Sequence, residues 1–368
     1  MSLSLYVHIP FCKSKCPYCS FLSYENRQEA IVPYLEALGK EAAFYKGQSV
    51  STIYIGGGTP TYLSETELGI LFDTIRSNFK IDNVVEWTIE ANPATFDLCK
   101  AKLLRSFGVT RVSLGIQSFQ EKYLQFLARP YGTQDALRAY AFLREAGFDN
   151  ISVDLMYAFS GQTEEELASD VQEALKLNSE HISLYTLSVS EESVFYQDNI
   201  EPLDNDQQVL YYGHIRDWLS KQGFLQYEVS SFSKKNYESR HNLNYWQGGD
   251  YIGLGLGAHA HLGGVRFWNT SDLVCYGALL EKGIMPKEGE ESLPVEQKML
   301  ETLLIGLRLV DGVDVEKLEE RFHLKLGNDK RALIDGFVRE GLLKWEDGYL
   351  KTALSGILLL DEICAKII

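Results

Sequence analysis

Residues 8–19 read His-Ile-Pro-Phe-Cys-Lys-Ser-Lys-Cys-Pro-Tyr-Cys, which places Cys12, Cys16 and Cys19 at the spacing C-x3-C-x2-C. Three thiolates on one loop can bind three irons of a cubane [4Fe–4S] cluster and leave the fourth iron open to another ligand. A structural zinc site is the alternative, but such sites use four ligands, usually as two separated pairs. No second Cys or His pair with suitable spacing follows in the sequence. The stretch therefore predicts an iron–sulfur cluster.

Short apolar runs alternate with amphipathic stretches after this motif. One further apolar run lies before the motif. The apolar runs predict strands at residues 3–8, 51–55, 84–90, 109–114, 151–156 and 182–187. Stretches with helical periodicity lie between these strands, at residues 32–45, 65–79, 94–106, 120–127, 134–146 and 164–177. Strands that alternate with helices predict an α/β fold with a mostly parallel sheet, here a partial, TIM-like (β/α)6 barrel.

Six candidate site residues lie at or near the ends of the predicted strands. They are Cys12, Gly57, Glu90, Gln117, Asp154 and Ser188. Active sites of β/α barrels are built at the carboxyl ends of the strands. The sequence therefore predicts that these residues share one face of the barrel.

The rest of the chain predicts two further parts. Residues 231–290 are rich in glycine, aromatic residues and histidine, and they have no long periodic segment, which indicates a loop-rich and functional extension. Residues 291–368 predict three helices, a hairpin that turns at Asp347-Gly348, and a closing helix. That order is typical of a small α+β, winged-helix-like domain. The predicted boundaries are thus 1–230, 231–290 and 291–368.

Composition limits the function classes. The formal net charge of −16 disfavours nucleic acid as a partner, because an acidic surface repels phosphate backbones. No signal peptide is visible, and no apolar run approaches the roughly 20 residues of a membrane helix. We therefore expect a cytoplasmic protein whose six cysteines are reduced. Cys99, Cys275 and Cys364 are expected to be small buried hydrophobic residues.

The cysteine motif and its preceding strand resemble those of the radical-SAM superfamily. The longer string Tyr-Val-His-Ile-Pro-Phe-Cys at residues 6–12 is similar to one branch of it, the oxygen-independent coproporphyrinogen III oxidases (HemN) and the related HemW haem chaperones. The resemblance covers essentially the whole chain. It implies a [4Fe–4S] cluster and S-adenosylmethionine as cofactors, which carry the difficult chemistry themselves.

The resemblance also implies residues for the S-adenosylmethionine site. Residues 56–60 read Gly-Gly-Gly-Thr-Pro, which matches the family's glycine-rich loop for the methionine amino group. The implied contacts are Tyr6, Tyr18, Gly57, Gly58, Thr59, Glu90, Gln117, Arg129 and Asp154. The alternative for the aromatic residues among them is ordinary packing within the barrel. The alternative for Glu90 is a solvated carboxylate at the end of a strand. Residues 157–161 read Tyr-Ala-Phe-Ser-Gly where the family usually has Tyr-Gly-Leu-Pro-Gly, a departure that changes loop stiffness.

Two features favour the chaperone branch over the oxidase branch. The oxidase carries a fourth cysteine two residues after its third, where this chain has Phe21. It also carries an N-terminal extension, for which the eleven residues before Cys12 leave no room. A third feature agrees, because residues 241–246 match the chaperone motif H-N-x-x-Y-W.

The resemblance makes His241 of that motif the candidate haem ligand, since neutral imidazole binds haem iron well. The alternative is a structural loop in which His241 is hydrogen-bonded and the neighbouring aromatic residues pack. His259 and His261 are further candidates, for which a core or loop role is the alternative.

Two functions follow from the resemblance. The first is a haem chaperone that passes haem to apo haem proteins, with an electron donor for its cluster and with room for a transient membrane-protein partner. The second is an oxidase that converts coproporphyrinogen III in porphyrin biosynthesis. A radical-SAM methylase or tRNA-modifying enzyme is disfavoured by the acidic balance. The sequence does not distinguish a monomer from a dimer.

Overall fold

Six strands, each followed by at least one helix, run parallel to one another in the computed structural model, which describes residues 3–368. The strands are β1 (Ser4–Ile9), β2 (Thr52–Gly57), β3 (Glu86–Ala91), β4 (Arg111–Gln117), β5 (Ile151–Tyr157) and β6 (His181–Thr186). The helices are α1 (Ile31–Ala42), α2 (Glu65–Asn78), α3 (Leu98–Ser106), α4 (Glu121–Phe126), α5 (Thr133–Glu145), α6 (Glu164–Lys176), α7 (Val194–Gln197) and α8 (Asn205–Lys221). The predicted partial (β/α)6 barrel is confirmed.

The two faces of these strands differ in chemistry. Leu5, Val7 and Ile9 of β1 are fully buried, and they belong to the main hydrophobic core together with residues of α1 and α2. The alternate positions of the six strands are mainly polar. They include Tyr6, His8, Thr52, Tyr54, Glu86, Glu90, Arg111, Ser113, Ser152, Asp154, His181 and Tyr185. Because successive side chains of a strand point to opposite faces, the interior of the barrel is lined by polar groups.

The segment that follows does not form the predicted loop-rich extension. It contains β7 (Leu225–Gln226), β8 (Ser231–Ser233), α9 (Arg240–Trp246), β9 (Tyr251–Leu254), β10 (His259–Leu262), β11 (Val265–Asn269), α10 (Leu273–Glu281) and β12 (Lys287–Glu291). The sheet has the order β12-β11-β10-β9-β1-β2-β3-β4-β5-β6-β8-β7, with β9 parallel to β1. These strands are at most five residues long, and most are separated by glycines. The alternation of buried and exposed side chains is therefore too short to be recognised in the sequence.

A buried carboxylate joins this segment to the barrel. Glu41 of α1 is fully buried, and its carboxylate accepts hydrogen bonds from the hydroxyl of Tyr276 (2.6 Å), the side-chain amide of Asn269 (2.5 Å) and the backbone N–H of Gly255 (2.8 Å). Burial raises the pKa of Glu41 to about 7, and the three hydrogen bonds oppose this shift. The contact therefore fixes β9, β11 and α10 against α1.

We expect Glu41→Ala to lower the free energy of unfolding by about 3 kcal/mol, because it leaves three buried donors without an acceptor. Urea unfolding followed by circular dichroism would measure the loss. Glu36→Ala is the matched control, since Glu36 lies on the exposed face of the same helix. Equal stability of the two variants would contradict a structural role for the Glu41 carboxylate.

The C-terminal part has a hydrophobic core of its own. It contains α11 (Val295–Gly306), β13 (Val313–Asp314), α12 (Val315–Phe322), α13 (Asn328–Arg339), β14 (Leu343–Glu346), β15 (Tyr349–Thr352) and α14 (Leu360–Ile367). The three strands form a small sheet of order β13-β15-β14. The predicted small α+β domain is confirmed, while the three proposed domain boundaries remain a prediction.

Among residues 3–368, no helix has both the length and the apolar character that a membrane span requires.

Candidate functional site

A cavity of about 390 Å³ opens at the carboxyl ends of the barrel strands. The structure brings most of the predicted site residues together in its wall. These residues are Cys12, Cys16, Tyr18, Cys19, Gly57, Gly58, Thr59, Glu90, Gln117, Arg129 and Asp154, and Ser188 lines it too. The volume lies in the range of small-molecule and cofactor sites.

The cysteine loop is held at both ends. It leaves β1, and residues Phe11–Cys12 pair in parallel with Tyr24–Glu25. The imidazole Nε2 of His8 lies 2.8 Å from the carbonyl oxygen of Leu22, which fixes the far end of the loop to β1. Inside the loop, the N–H of Cys19 donates to the carbonyl of Cys16 at 3.1 Å. These contacts present three partly exposed thiols to one cavity.

Two side chains donate hydrogen bonds to these sulfurs. The guanidinium of Arg129 donates to Cys16 Sγ (3.1 Å), and the hydroxyl of Thr59 donates to Cys12 Sγ (3.6 Å). Burial raises the pKa of the Cys12 and Cys19 thiols, so iron must displace their protons when it binds. A set of three thiols on one loop, with donors to the sulfurs, fits a cluster with one open iron. Cys99 and Cys275 are exposed, which contradicts the expected burial.

The glycine-rich loop after β2 lies beside the cysteines. Gly57 has φ +109°, and a Cβ there would lie 2.5 Å from the His8 imidazole. A Cβ on Gly58 would lie 2.8–2.9 Å from the backbone of Ile9 and Phe11. Glycine is thus required at both positions, and the loop leaves its backbone groups close to the cavity.

Two partly buried carboxylates line the same cavity. Glu90 accepts hydrogen bonds from the Tyr54 hydroxyl (2.8 Å) and the Gly57 N–H (3.0 Å), and burial raises its pKa to about 7. Asp154 accepts from the hydroxyls of Ser113 (2.6 Å) and Ser152 (2.7 Å), and burial raises its pKa as well. Carboxylates held in this way can accept hydrogen bonds from hydroxyl and amino groups of a ligand.

Two non-glycine residues near the cavity have left-handed backbone conformations. Gln117 has φ +72° at an irregularity in the pairing of β4 with β5. Ala158 has φ +66° in the loop after β5, at the position where the related family usually has glycine. The Ala158 N–H donates to the Gln162 side chain (2.7 Å), and its carbonyl accepts from the N–H of Leu203 (3.1 Å). These hydrogen bonds hold the loop despite the cost of about 1–2 kcal/mol for this conformation.

Tyr6 does not line the cavity. Its hydroxyl lies 2.9 Å from His8 Nδ1, and its ring stacks on Tyr54 with centroids 6.3 Å apart. Tyr54 in turn lines the cavity and donates to Glu90. The structure therefore places Tyr6 behind the cavity wall, where it supports Tyr54.

His241 lies at the opposite end of the barrel and is fully buried. Its Nδ1 lies 2.9 Å from the Thr52 hydroxyl and its Nε2 lies 2.8 Å from the Tyr245 hydroxyl. Since Thr52 donates its proton to Ser4 (2.7 Å), Nδ1 carries the imidazole hydrogen and Nε2 accepts from Tyr245. Burial lowers the pKa of His241 to about 3, so the ring is neutral.

Both ring nitrogens of His241 are hydrogen-bonded and no edge of the ring is exposed, an arrangement that does not fit the predicted role of haem ligand. The structural alternative applies instead. Helix α9 closes the amino ends of the strands, since Glu86 of β3 accepts hydrogen bonds from the N–H groups of Arg240 (2.9 Å) and His241 (3.0 Å). The sequence motif alone gave no sign of these partners.

We expect His241→Ala to lower the free energy of unfolding by about 2 kcal/mol, because the buried hydroxyls of Thr52 and Tyr245 lose their partner. Chemical denaturation would measure it, with Asn242→Ala on the same helix as the control. A His241→Ala protein as stable as that control would show that the hydrogen bonds of the imidazole contribute nothing to folding.

The other two candidate histidines lie on the sheet extension. His259 is exposed, and its ring stacks on Trp268 with centroids 5.8 Å apart. His261 is partly buried, with Nδ1 3.6 Å from the carboxylate of Asp250. Neither residue lines the cysteine cavity.

The sequence reasoning missed several residues of the cavity wall. They are Tyr54, Ser113, Met156, Tyr185 and Thr186. Four of the five occupy strand positions that alternate with buried apolar residues, so the period-two pattern could have identified them. Phe21, at the place of the oxidase's fourth cysteine, also lines the cavity and is 66% exposed.

Both the barrel and the C-terminal domain match known protein families. Residues 6–174 match the radical SAM superfamily, and residues 293–359 match the HemN C-terminal domain. The chain is 34% identical to the protein named "Heme chaperone HemW" from Bacillus subtilis, over 98% of this chain and 97% of that one. The protein of the same name from Lactococcus lactis is 37% identical over 87% of this chain and 85% of its own length. The one from Escherichia coli is 39% identical over 70% of this chain and 69% of its own length.

Among solved structures, the chain superposes on the coproporphyrinogen III oxidase HemN from Escherichia coli, a radical SAM enzyme, with a TM-score of 0.86. The superposition covers 100% of this chain and 90% of that one at 24% sequence identity. It shows that the two chains share a fold.

Proposed function

The chain belongs to the HemW family within the radical SAM superfamily, and on this basis we propose that it binds haem and delivers it to apo haem proteins. The observation that carries the proposal is the 34% identity with a protein named as a haem chaperone over nearly the full length of both chains. The arrangement of the cavity supports it, because the cysteines, the glycine-rich loop and the two carboxylates line one cavity.

The residues of the cavity have separate roles in this proposal. Cys12, Cys16 and Cys19 hold a [4Fe–4S] cluster. S-adenosylmethionine lies against Gly57, Gly58, Thr59, Glu90, Gln117, Arg129 and Asp154, with Tyr18 beside it and Tyr6 as a support of the wall. When bound, the two groups supply one-electron chemistry. The hydrogen bonds that Arg129 and Thr59 donate to cysteine sulfurs orient those ligands and adjust the reduction potential of the cluster.

Phe21 favours the chaperone over the oxidase. It places an exposed phenyl ring at the mouth of the cavity in the position where the oxidase family carries a further cysteine. The proposed partners are haem, apo haem proteins and an electron donor for the cluster, and the proposed compartment is the cytoplasm.

The test uses full-length protein whose cluster has been reconstituted without oxygen. Haem is added first, and its Soret band is followed to saturation. The loaded protein is then mixed with an apo haem protein, and transfer is read from the acceptor's spectrum. Stoichiometric uptake and transfer are the expected results.

In a parallel sample, coproporphyrinogen III is offered with S-adenosylmethionine and a reductant. Turnover to protoporphyrinogen without tight haem binding would overturn the chaperone function and assign the protein to the oxidases. Mutation of Phe21→Cys is a useful companion, since it restores the oxidase spacing and leaves the three cluster ligands in place.

A further inference from the structure

A second cavity lies between the barrel and the C-terminal domain. It has a volume of about 190 Å³ and lies far along the chain from the cysteine motif. Three elements surround it: helix α8, the segment that follows α11, and the small sheet with the loop after it. Its lining residues are Arg216, Val229, Leu307, Arg308, Leu309, Val310, Lys344, Thr352, Ala353, Leu354 and Ile357.

The lining combines three cations with an apolar wall. Arg216, Arg308 and Lys344 all face this space, and its lining within the described chain includes no Asp or Glu. This is unusual in a protein of net charge −16. Arg308 and Lys344 have carboxylate partners in Asp361 and Glu346, whose side chains are 88% and 44% exposed. Arg216 has no ion pair in the part of the chain that the structure describes.

A larger cavity of about 590 Å³ adjoins the first, and Leu309 lines both. Three carboxylates line the larger cavity, those of Glu238, Asp311 and Asp314, against the two cations Lys317 and Arg321. An anionic group is therefore favoured in the small cavity and disfavoured in the large one.

An aromatic residue connects the two spaces. The guanidinium of Arg308, in the small cavity, lies 5.2 Å from the centre of the Trp246 ring, which lines the large cavity. The indole N–H of Trp246 is buried and has no hydrogen-bond partner among the described residues. Together the two cavities offer cations on one side and the Trp246 side chain on the other.

We propose that the cavity of Arg216, Arg308 and Lys344 binds the carboxylate edge of haem. This inference rests on the proposed function, which makes haem the cargo. Haem carries two propionates on one edge of an apolar ring, and guanidinium groups pair with carboxylates in a bidentate geometry. A volume of about 190 Å³ lies below the roughly 300–1,000 Å³ of pockets for drug-sized ligands, so it has room for the propionates and too little for the ring. The ring lies outside the cationic cavity, toward Trp246.

The test compares haem with haem dimethyl ester, whose carboxylates are blocked. Both are titrated into the reconstituted full-length protein, and the Soret band gives each dissociation constant. The variant is Arg216→Gln/Lys344→Gln. The matched control is Lys221→Gln/Lys366→Gln, which removes the same charge at two exposed positions outside the cavity.

We expect the variant to bind haem about tenfold more weakly than the control does, as two partly exposed ion pairs are lost. Binding of the dimethyl ester should be the same in both. Equal haem affinities, or an equal weakening for haem and its ester, would overturn the inference and leave the chaperone function standing. Failure of the wild type to bind haem at all would overturn both. If the variant does not fold, the wild type alone decides: it should prefer haem over the ester about tenfold, and equal affinities reject the site.

Discussion

Cys16→Ala is expected to abolish the iron–sulfur cluster, so that the iron bound after reconstitution falls from about four per chain to near zero. Cys16 is the central thiol of the loop, and Arg129 donates a hydrogen bond to its sulfur at 3.1 Å. With two thiols left, a cubane would have two open irons, and such a site does not hold the cluster against solvent. Iron analysis and the visible absorption of the cluster measure the loss.

The matched controls are Cys99→Ala and Cys275→Ala, which remove exposed thiols outside the cavity. Both should reconstitute as the wild type does. Full iron content in Cys16→Ala would mean that another residue completes the cluster, and it would withdraw the assignment of the C-x3-C-x2-C motif.

Glu90→Gln is expected to weaken the binding of S-adenosylmethionine about 30-fold, because hydrogen bonds to a charged acceptor contribute about 2 kcal/mol. The amide keeps the shape of the side chain and removes its charge. Equilibrium dialysis on cluster-loaded protein gives the affinity directly. Glu86→Gln is not a suitable control, because Glu86 accepts hydrogen bonds at the other end of the barrel. Glu65→Gln, at the exposed start of α2, is suitable.

The same carboxylate predicts a dependence on pH. Glu90 has a pKa raised to about 7, so it is ionised above that pH and protonated below it. A ligand that needs the ionised form binds less well as pH falls, and we expect the affinity to drop about tenfold between pH 8 and pH 6. In Glu90→Gln this part of the dependence should vanish. An identical pH profile in both proteins would show that Glu90 does not titrate with binding.

The six β/α units and the C-terminal domain could be predicted because their elements are long and regular. The helix predicted at residues 164–177 spans Glu164–Lys176, and the six strands lie within three residues of their predicted bounds. The cysteine cavity followed from the same positions, since strand ends of a parallel barrel meet at one face. Eleven of the twelve cluster and S-adenosylmethionine residues line it, and Tyr6 lies one layer behind.

The errors arise from contacts between distant parts of the chain. Histidine is a common metal ligand, and this residue type suggests a ligand role for His241. In the structure its Nδ1 is hydrogen-bonded to Thr52, a residue 189 positions away in the sequence. The strands β9 to β12 are too short to show a period, and their place in the sheet depends on contacts such as those of Glu41. Tyr54 is a different case, because it lies between the buried residues Ile53 and Ile55, and this alternation predicts that its side chain faces the barrel interior.

The position of α9 affects how partners reach the protein. The cysteine loop borders the carboxyl ends of the strands, whereas α9 closes their amino ends and leads to the C-terminal domain, where Arg321 donates hydrogen bonds to the carbonyls of Gln247 and Gly248. With the proposed cluster at one end and the proposed cargo at the domain seam, a reductant and a haem acceptor would use separate surfaces. We therefore expect the kinetics of transfer to follow a random-order ternary complex, in which neither partner competes against the other.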